Sequence, residues 1–192
     1  MRFSSAEIYF EELPVKHTAL DQLVDAFKAE YMNGGAILSC FAAVGRSVPD
    51  WETSEEHRPL IRSLLCSPVV SSLLAAASAG RQNAVRPPAV ERQPASELDL
   101  SVVDPLTLDG RLARQLVAGG PYSTFDMTWA EAKAIAVAAC TAMFEDRYED
   151  VHAFNSYKPW HPWFLGIAWD ATWVLIDHRT NRVWLFCVTD TD

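Results

Sequence analysis

Two stretches of this sequence carry side chains suited to chemistry or recognition. The first is FNSYKPWHPWF, residues 154–164, with five aromatics, one His, one Lys and two Pro in eleven residues. Pro159 and Pro162 exclude a regular helix or a central strand. Aromatic rings on a proline-stiffened loop make interface anchors, because Trp and Tyr bring large contact area at small entropic cost. The same rings can also fold back onto a sheet, and the two arrangements can coexist. Tyr157, Trp160 and His161 are the candidate recognition residues here.

The second stretch is FEDRYEDVH, residues 144–152, which brings Glu145, Asp146, Glu149 and Asp150 together. At helical spacing, 145/149 and 146/150 are like-charge pairs four residues apart, each destabilising by about 0.2–0.5 kcal/mol. They fall at the C-terminal end of an expected helix, where the helix dipole disfavours acids. A solvated helix end tolerates this, and a basic partner would use it. These four acids are the candidate partner-binding charges, and reversing Glu149 and Asp150 should slow association with such a partner.

Catalytic arrangements are weaker. Ser156, His161 and Asp170 or Asp177 can be drawn as a hydrolase triad. No G-x-S-x-G elbow occurs, however, and Ser156 follows no strand–turn–helix pattern. His17, His57 and His152 stand isolated in sequence and His178 sits in a polar turn, so no metal-ligand set is assigned. Cys40, Cys66, Cys140 and Cys187 lie far apart among apolar neighbours, without a CxxC pair. They read as core thiols rather than zinc ligands or disulfides, which suits a reducing cytoplasm. No catalytic residue, metal or cofactor is expected.

The elements that must position these residues are legible in outline. AEIYFEEL alternates as a short strand. HTALDQLVDAFKAEY places Leu20, Leu23, Val24, Phe27 and Tyr31 on one helical face, with Thr18 as cap and Asn33-Gly34 as a left-handed stop. AILSCFAAV is wholly apolar, and its alanines favour a helix. TSEEHRPLIRSLL and SPVVSSLLAAASAG read as two helices, the second capped by Ser67 with Pro68 in its first turn and ended by Gly80. An extended run precedes Pro105, and a helix with Leu108, Leu112 and Leu116 ends at Gly119-Gly120. TWAEAKAIAVAACTAMFEDRYED is the clearest helix, opened by a Thr128/Glu131 capping box, with Ile135, Ala139, Ala142 and Met143 facing inward. The closing runs IAWDATWVLID and RVWLFCVT form a hairpin around Asp177–Arg182, with Asn181 suited to positive φ. Both runs are apolar on two faces over much of their length, as in a strand buried from both sides. That places the hairpin mid-sheet, with the 128–146 helix on one face and the charged residues after Val188 leaving the sheet.

The expected fold class is therefore α+β. Residues 1–80 are a mostly helical N-terminal part, 81–96 a proline-rich linker or loop, and 97–192 an α+β part whose antiparallel sheet centres on the terminal hairpin and packs against helices. Whether the two flanking parts share one core is left open. The 192 residues are 49% hydrophobic, enough for a sizeable core. The net charge is −9, split as −4 over 1–80, +2 over 81–96 and −7 over 97–192. That sign argues against direct nucleic-acid binding and anionic membranes, and favours a basic protein partner. Neither a signal peptide nor a membrane-spanning run is visible, so a cytoplasmic location is expected.

In general character, through FEDRYEDVH, KPWHPWF and the closing TDTD, the chain resembles the immunity proteins of bacterial polymorphic and contact-dependent toxins. The resemblance implies a non-enzymatic acidic protein that binds a cognate toxin through a basic cleft and occludes its active site. Two other readings stand beside it: a hydrolase whose site is assembled from distant residues such as His161 and Asp170, and a scaffold or assembly subunit that docks through its aromatic loop.

Overall fold

The structure is a computed structural model, and it describes residues 8–44, 54–79, 91–123, 127–166 and 168–190. In chain order the elements are β1 (Tyr9–Leu13), α1 (Thr18–Glu30), β2 (Gly35–Val44), α2 (Ser54–Leu65), α3 (Pro68–Ala79), β3 (Ser101–Val103), α4 (Leu108–Ala118), α5 (Trp129–Phe144), β4 (Val151–Ser156), β5 (Ala171–Asp177) and β6 (Arg182–Thr189). The strands make one six-stranded antiparallel sheet in the order β1-β2-β6-β5-β4-β3. The fold class is α+β, as the sequence indicates.

The terminal hairpin is the middle of the sheet. Every residue of β5 is buried, and in β6 only Arg182 is exposed. Trp173, Leu175, Trp184, Phe186 and Val188 face a core shared with α1, α4 and α5. Val174, Ile176, Val183, Leu185 and Cys187 face a second core under α2, α3 and the 160–164 loop. Each large apolar side chain moved out of water contributes roughly 1.5–3 kcal/mol, so these two strands anchor both layers. The turn between them carries Asn181 at φ 55°, and its side-chain amide donates to the Ala43 carbonyl at 2.9 Å.

The AILSCFAAV segment is a strand, not the expected helix. It lies in β2, whose Gly35–Ala42 pairs with Thr189–Arg182 of β6. Ala36 and Cys40 enter one core, Phe41 and Ala43 the other. A strand buried on both faces needs no polar period, and sheet pairing overrides the helix preference of alanine. Because β2 pairs with β6, strands from 1–80 and from 97–192 belong to one sheet. Of the connection between these parts, residues 80–90 lie outside the described residues, as does the proposed stop at Gly80. Residues 91–97 pack onto the aromatic loop: Gln93 N–H donates to the Pro159 carbonyl at 3.0 Å, and Arg92 to the Phe164 carbonyl at 3.3 Å.

Local signals mostly hold. Thr128 and Glu131 form the capping box of α5, and Ser67 caps α3. On α5, Ala139 and Met143 are buried, whereas Ile135 and Ala142 are half-buried and Ala132, Ala136 and Cys140 complete the inner face. For α1 the cap is His17, whose Nδ1 accepts from Ala19 N–H at 3.2 Å, rather than Thr18. Asn33 and Gly34 do not adopt positive φ. Gly34 answers a different need, because a Cβ there would strike the Thr189 carbonyl. Gly119 ends α4 as expected, at φ 62° and ψ −177°, a conformation open essentially to glycine alone. Cys40, Cys140 and Cys187 are buried free thiols, while Cys66 is exposed rather than in the core.

Two further expectations are corrected. Asp190 does not leave the sheet as a solvated acid: it is fully buried, and its Oδ1 accepts from Asn33 N–H at 2.9 Å. Helix α5 stops at Phe144, with Glu145 at φ 56°, so the acids after it are not stacked at helical spacing. Among the described residues no single helix is long and apolar enough to cross a membrane. Leu60, Ile61 and Leu64 of α2 and Val70 and Leu74 of α3 are buried against the sheet.

Candidate functional site

Strand β4 separates the two stretches singled out by sequence. Glu145, Asp146, Glu149 and Asp150 precede it, and Tyr157, Trp160 and His161 follow it. Six residues at about 3.3 Å each put the two groups roughly 20 Å apart, at opposite ends of the sheet. They do not form one site.

At the end where β4 leaves the sheet, the proline loop folds inward. Trp160 is 6% exposed and its indole N–H donates to Thr172 Oγ1 at 2.8 Å. It is a core residue, not a surface anchor, as are Trp163 and Phe164. His161 is half-buried, and its Nδ1 accepts from Trp163 N–H at 3.1 Å. Burial and the nearby Arg92 hold its pKa below the ordinary imidazole value. Only Tyr157, of the three, presents an exposed ring. Asp170 is fully buried, with its carboxylate accepting from Gly166 N–H at 2.7 Å and Thr189 Oγ1 at 2.5 Å. The buried Ser156 accepts from Lys158 N–H at 3.2 Å. None of these bonds joins Ser156, His161 and Asp170 into a relay.

Beside this loop lies a groove of about 1010 Å³ that the sequence reading missed. Its floor is Gly35–Ser39 of β2. Those five residues pair with β6 on one side, whereas β1 covers only Cys40–Val44 on the other. Among the described residues this half of β2 is therefore an open sheet edge. Asp21, Val24, Asp25 and Lys28 of α1 form one wall, Leu73 and Ala77 of α3 the other, and Trp163 closes one end. A second groove of about 360 Å³ shares Asp21, Val24, Leu38 and Ser39 and extends past Glu12 and Pro14. No local pattern announces an edge that exists only because β1 is shorter than β2.

The opposite end holds the four acids and a cluster that spacing concealed. Glu145 and Asp146 are exposed, and Glu145 bonds Arg147 at 3.0 Å. Asp150 faces Arg179 at 3.5 Å, and Glu149 is exposed. Close by, His57 of α2, His152 of β4 and His178 of the hairpin turn converge. Ring centroids are 4.2 Å apart for His57–His152, 4.6 Å for His152–His178 and 5.2 Å for His57–His178. His57 and His152 are thus not isolated, and His178 does more than make a turn polar. His57 is fully buried, the other two half-buried. The Phe154 ring, 6.0 Å from His57, backs the cluster. The turn is held in place: His178 N–H donates to the Asp150 carbonyl at 3.0 Å, and Asp177 bonds Arg147 at 2.9 Å. Burial pushes the Asp177 carboxyl up, but the bonds from Arg147 and Thr180 outweigh it and hold it below the usual range.

The signal that could have found this cluster is faint. His152 alternates onto the same face of β4 as Phe154, and His178 starts the adjoining turn. Only the placement of α2, 95 residues earlier than His152, brings His57 to them. Comparison with protein-family models, with curated proteins and with solved structures returns no match, so the chemistry of these two ends is read from their own geometry.

Proposed function

We propose that this chain is a non-enzymatic acidic binding protein for a basic polypeptide, of the kind that neutralises a cognate bacterial toxin by covering its active site. The observation that carries the reading is that, among the described residues, Gly35–Ser39 of β2 pairs on one side only, in a groove whose α1 wall is acidic. Natural sheets cover, twist or charge their edges, because a bare one pairs with any extended chain. An edge recessed between two helices is protected from indiscriminate pairing and still able to accept one strand. Main-chain bonds to such a strand supply affinity, and the walls select its side chains. Asp21 and Asp25 against the single Lys28 make the α1 wall net acidic, which suits a Lys- or Arg-bearing segment.

The acids at the other end contribute less to the same contact. Roughly 20 Å exceeds the Debye length of about 8 Å at physiological ionic strength. Glu145 and Asp150 are also engaged by arginines of this chain. Tyr157 follows β4, three strands from β2, and lines a separate depression with Arg111 and Arg114 of α4.

The test uses the polypeptide encoded beside this gene, purified separately, with association measured at low and physiological salt. D21K/D25K should slow association at least tenfold and flatten its salt dependence, while E149K/D150K leaves both nearly as in wild type. If D21K/D25K associates like wild type, the groove is not the binding face. Turnover of any substrate that is lost in His161→Ala would favour a hydrolase instead.

A further inference from the structure

We propose that His57, His152 and His178 form a transition-metal site that takes one zinc ion per chain through three imidazole nitrogens. Each residue can offer a ring nitrogen, and these atoms all lie within 4.8 Å of one another. Zinc–imidazole bonds of about 2.0–2.1 Å require neighbouring donor nitrogens about 3.3 Å apart in a tetrahedral set. The donors therefore need to close by no more than about 1.5 Å to reach that spacing.

The His152 and His178 rings are perpendicular, at 90°, and His57 is tilted by 35° and 61° to them. Packed rings adopt such tilts as well; the feature that points to an ion is that one ring nitrogen from each residue lies within 4.8 Å of the other two. The rings come from a helix, a strand and a turn, so convergence is a property of the tertiary fold, not of chain proximity. The turn that carries His178 is held in place. His178 is fixed by its backbone bond to Asp150, and its neighbour Asp177 is pinned by Arg147 and by Thr180 N–H at 3.0 Å. Phe154 gives the cluster an apolar back wall.

The donor chemistry selects the ion. Three neutral nitrogens suit zinc and its borderline neighbours, and not magnesium or calcium, which demand oxygen ligands. The chain's charge of −9 favours accumulation of a cation over an anion. Three protein ligands leave one tetrahedral position for water or another ligand, and two of the three residues, His152 and His178, are only half-buried. A bound ion would join the N-terminal half of α2 to β4 and the hairpin turn.

The experiment titrates chelator-stripped protein with zinc sulfate alone, against a chromophoric chelator, and repeats the titration with cobalt(II). Wild type should take one equivalent, and the cobalt form should show the intense visible absorption of a four-coordinate ion. His152→Ala and His178→Ala, both half-exposed positions, should each weaken zinc by roughly tenfold or more, since even loss of a supporting residue costs about 10–100-fold. His17→Asn, which keeps a helix cap and lies outside the cluster, should bind like wild type. Magnesium and calcium should not compete. The proposal is overturned if wild type binds no zinc at micromolar concentrations. It is overturned equally if either alanine variant, folded by circular dichroism, binds zinc as tightly as wild type.

Discussion

Replacing Asp170 by alanine should cost about 3–6 kcal/mol of folding stability. The carboxylate is fully buried at the start of β5 and accepts from Gly166 N–H at 2.7 Å and from Thr189 Oγ1 at 2.5 Å. Thr189 Oγ1 in turn accepts from Leu165 N–H at 3.1 Å. Asp170, with Thr189, thus fastens Leu165 and Gly166 to the end of β6. Hydrogen bonds to a charged group contribute about 1.5–3 kcal/mol each, so two amount to about 3–6 kcal/mol. That is a large part of the roughly 5–15 kcal/mol typical of a domain. Asp170→Asn keeps the shape but turns an NH2 toward one of the two donors, and should lose about half as much. Urea unfolding followed by Trp fluorescence gives both values. Thr189→Val measures the same network from the other side, and the double variant should lose less than the sum of the singles. An Asp170→Ala protein within about 1 kcal/mol of wild type, or strict additivity in the cycle, would refute the claim that this carboxylate organises the loop.

Two further outcomes are expected. Cys66 alone is exposed, while burial pushes the Cys40 and Cys140 thiols up to about 12 and that of Cys187 higher still; a thiol reagent at mild pH should modify one cysteine in the folded protein and all four in denaturant, and rapid modification of two or more would contradict the burial. For His161, burial and Arg92 lower the folded-state pKa, so the neutral ring stabilises the fold above the unfolded value near 6.5 and that contribution is lost as pH falls through the lowered folded value; thermal melts of His161→Asn between pH 7.5 and 5 should therefore fall less steeply than wild type, and parallel curves would show that the ring does not titrate with folding.

The division between sequence and tertiary structure runs through particular residues. Local chemistry was enough for the α5 capping box, the Ser67 cap, the Gly119 stop, the positive φ of Asn181 and the two-faced apolar hairpin. Each depends on side chains within a few positions of one another, or on a period that two buried faces abolish. β2 reads as a helix because an apolar run with many alanines has no period to distinguish helix from central strand, and its strand partner β6 lies about 150 residues further along the chain. The inward fold of Trp160 depends on Thr172, the burial of Asp190 on Asn33, and the convergence of three histidines on where α2 docks. Unusual local composition marks the aromatic loop and the acidic run. The two features proposed to bind, a strand edge paired on one side only among the described residues and a cluster of three imidazoles, arise from which distant segments meet. Hydrogen-bond partners and ligand geometry are set by distance in space, and a sequence records only distance along the chain.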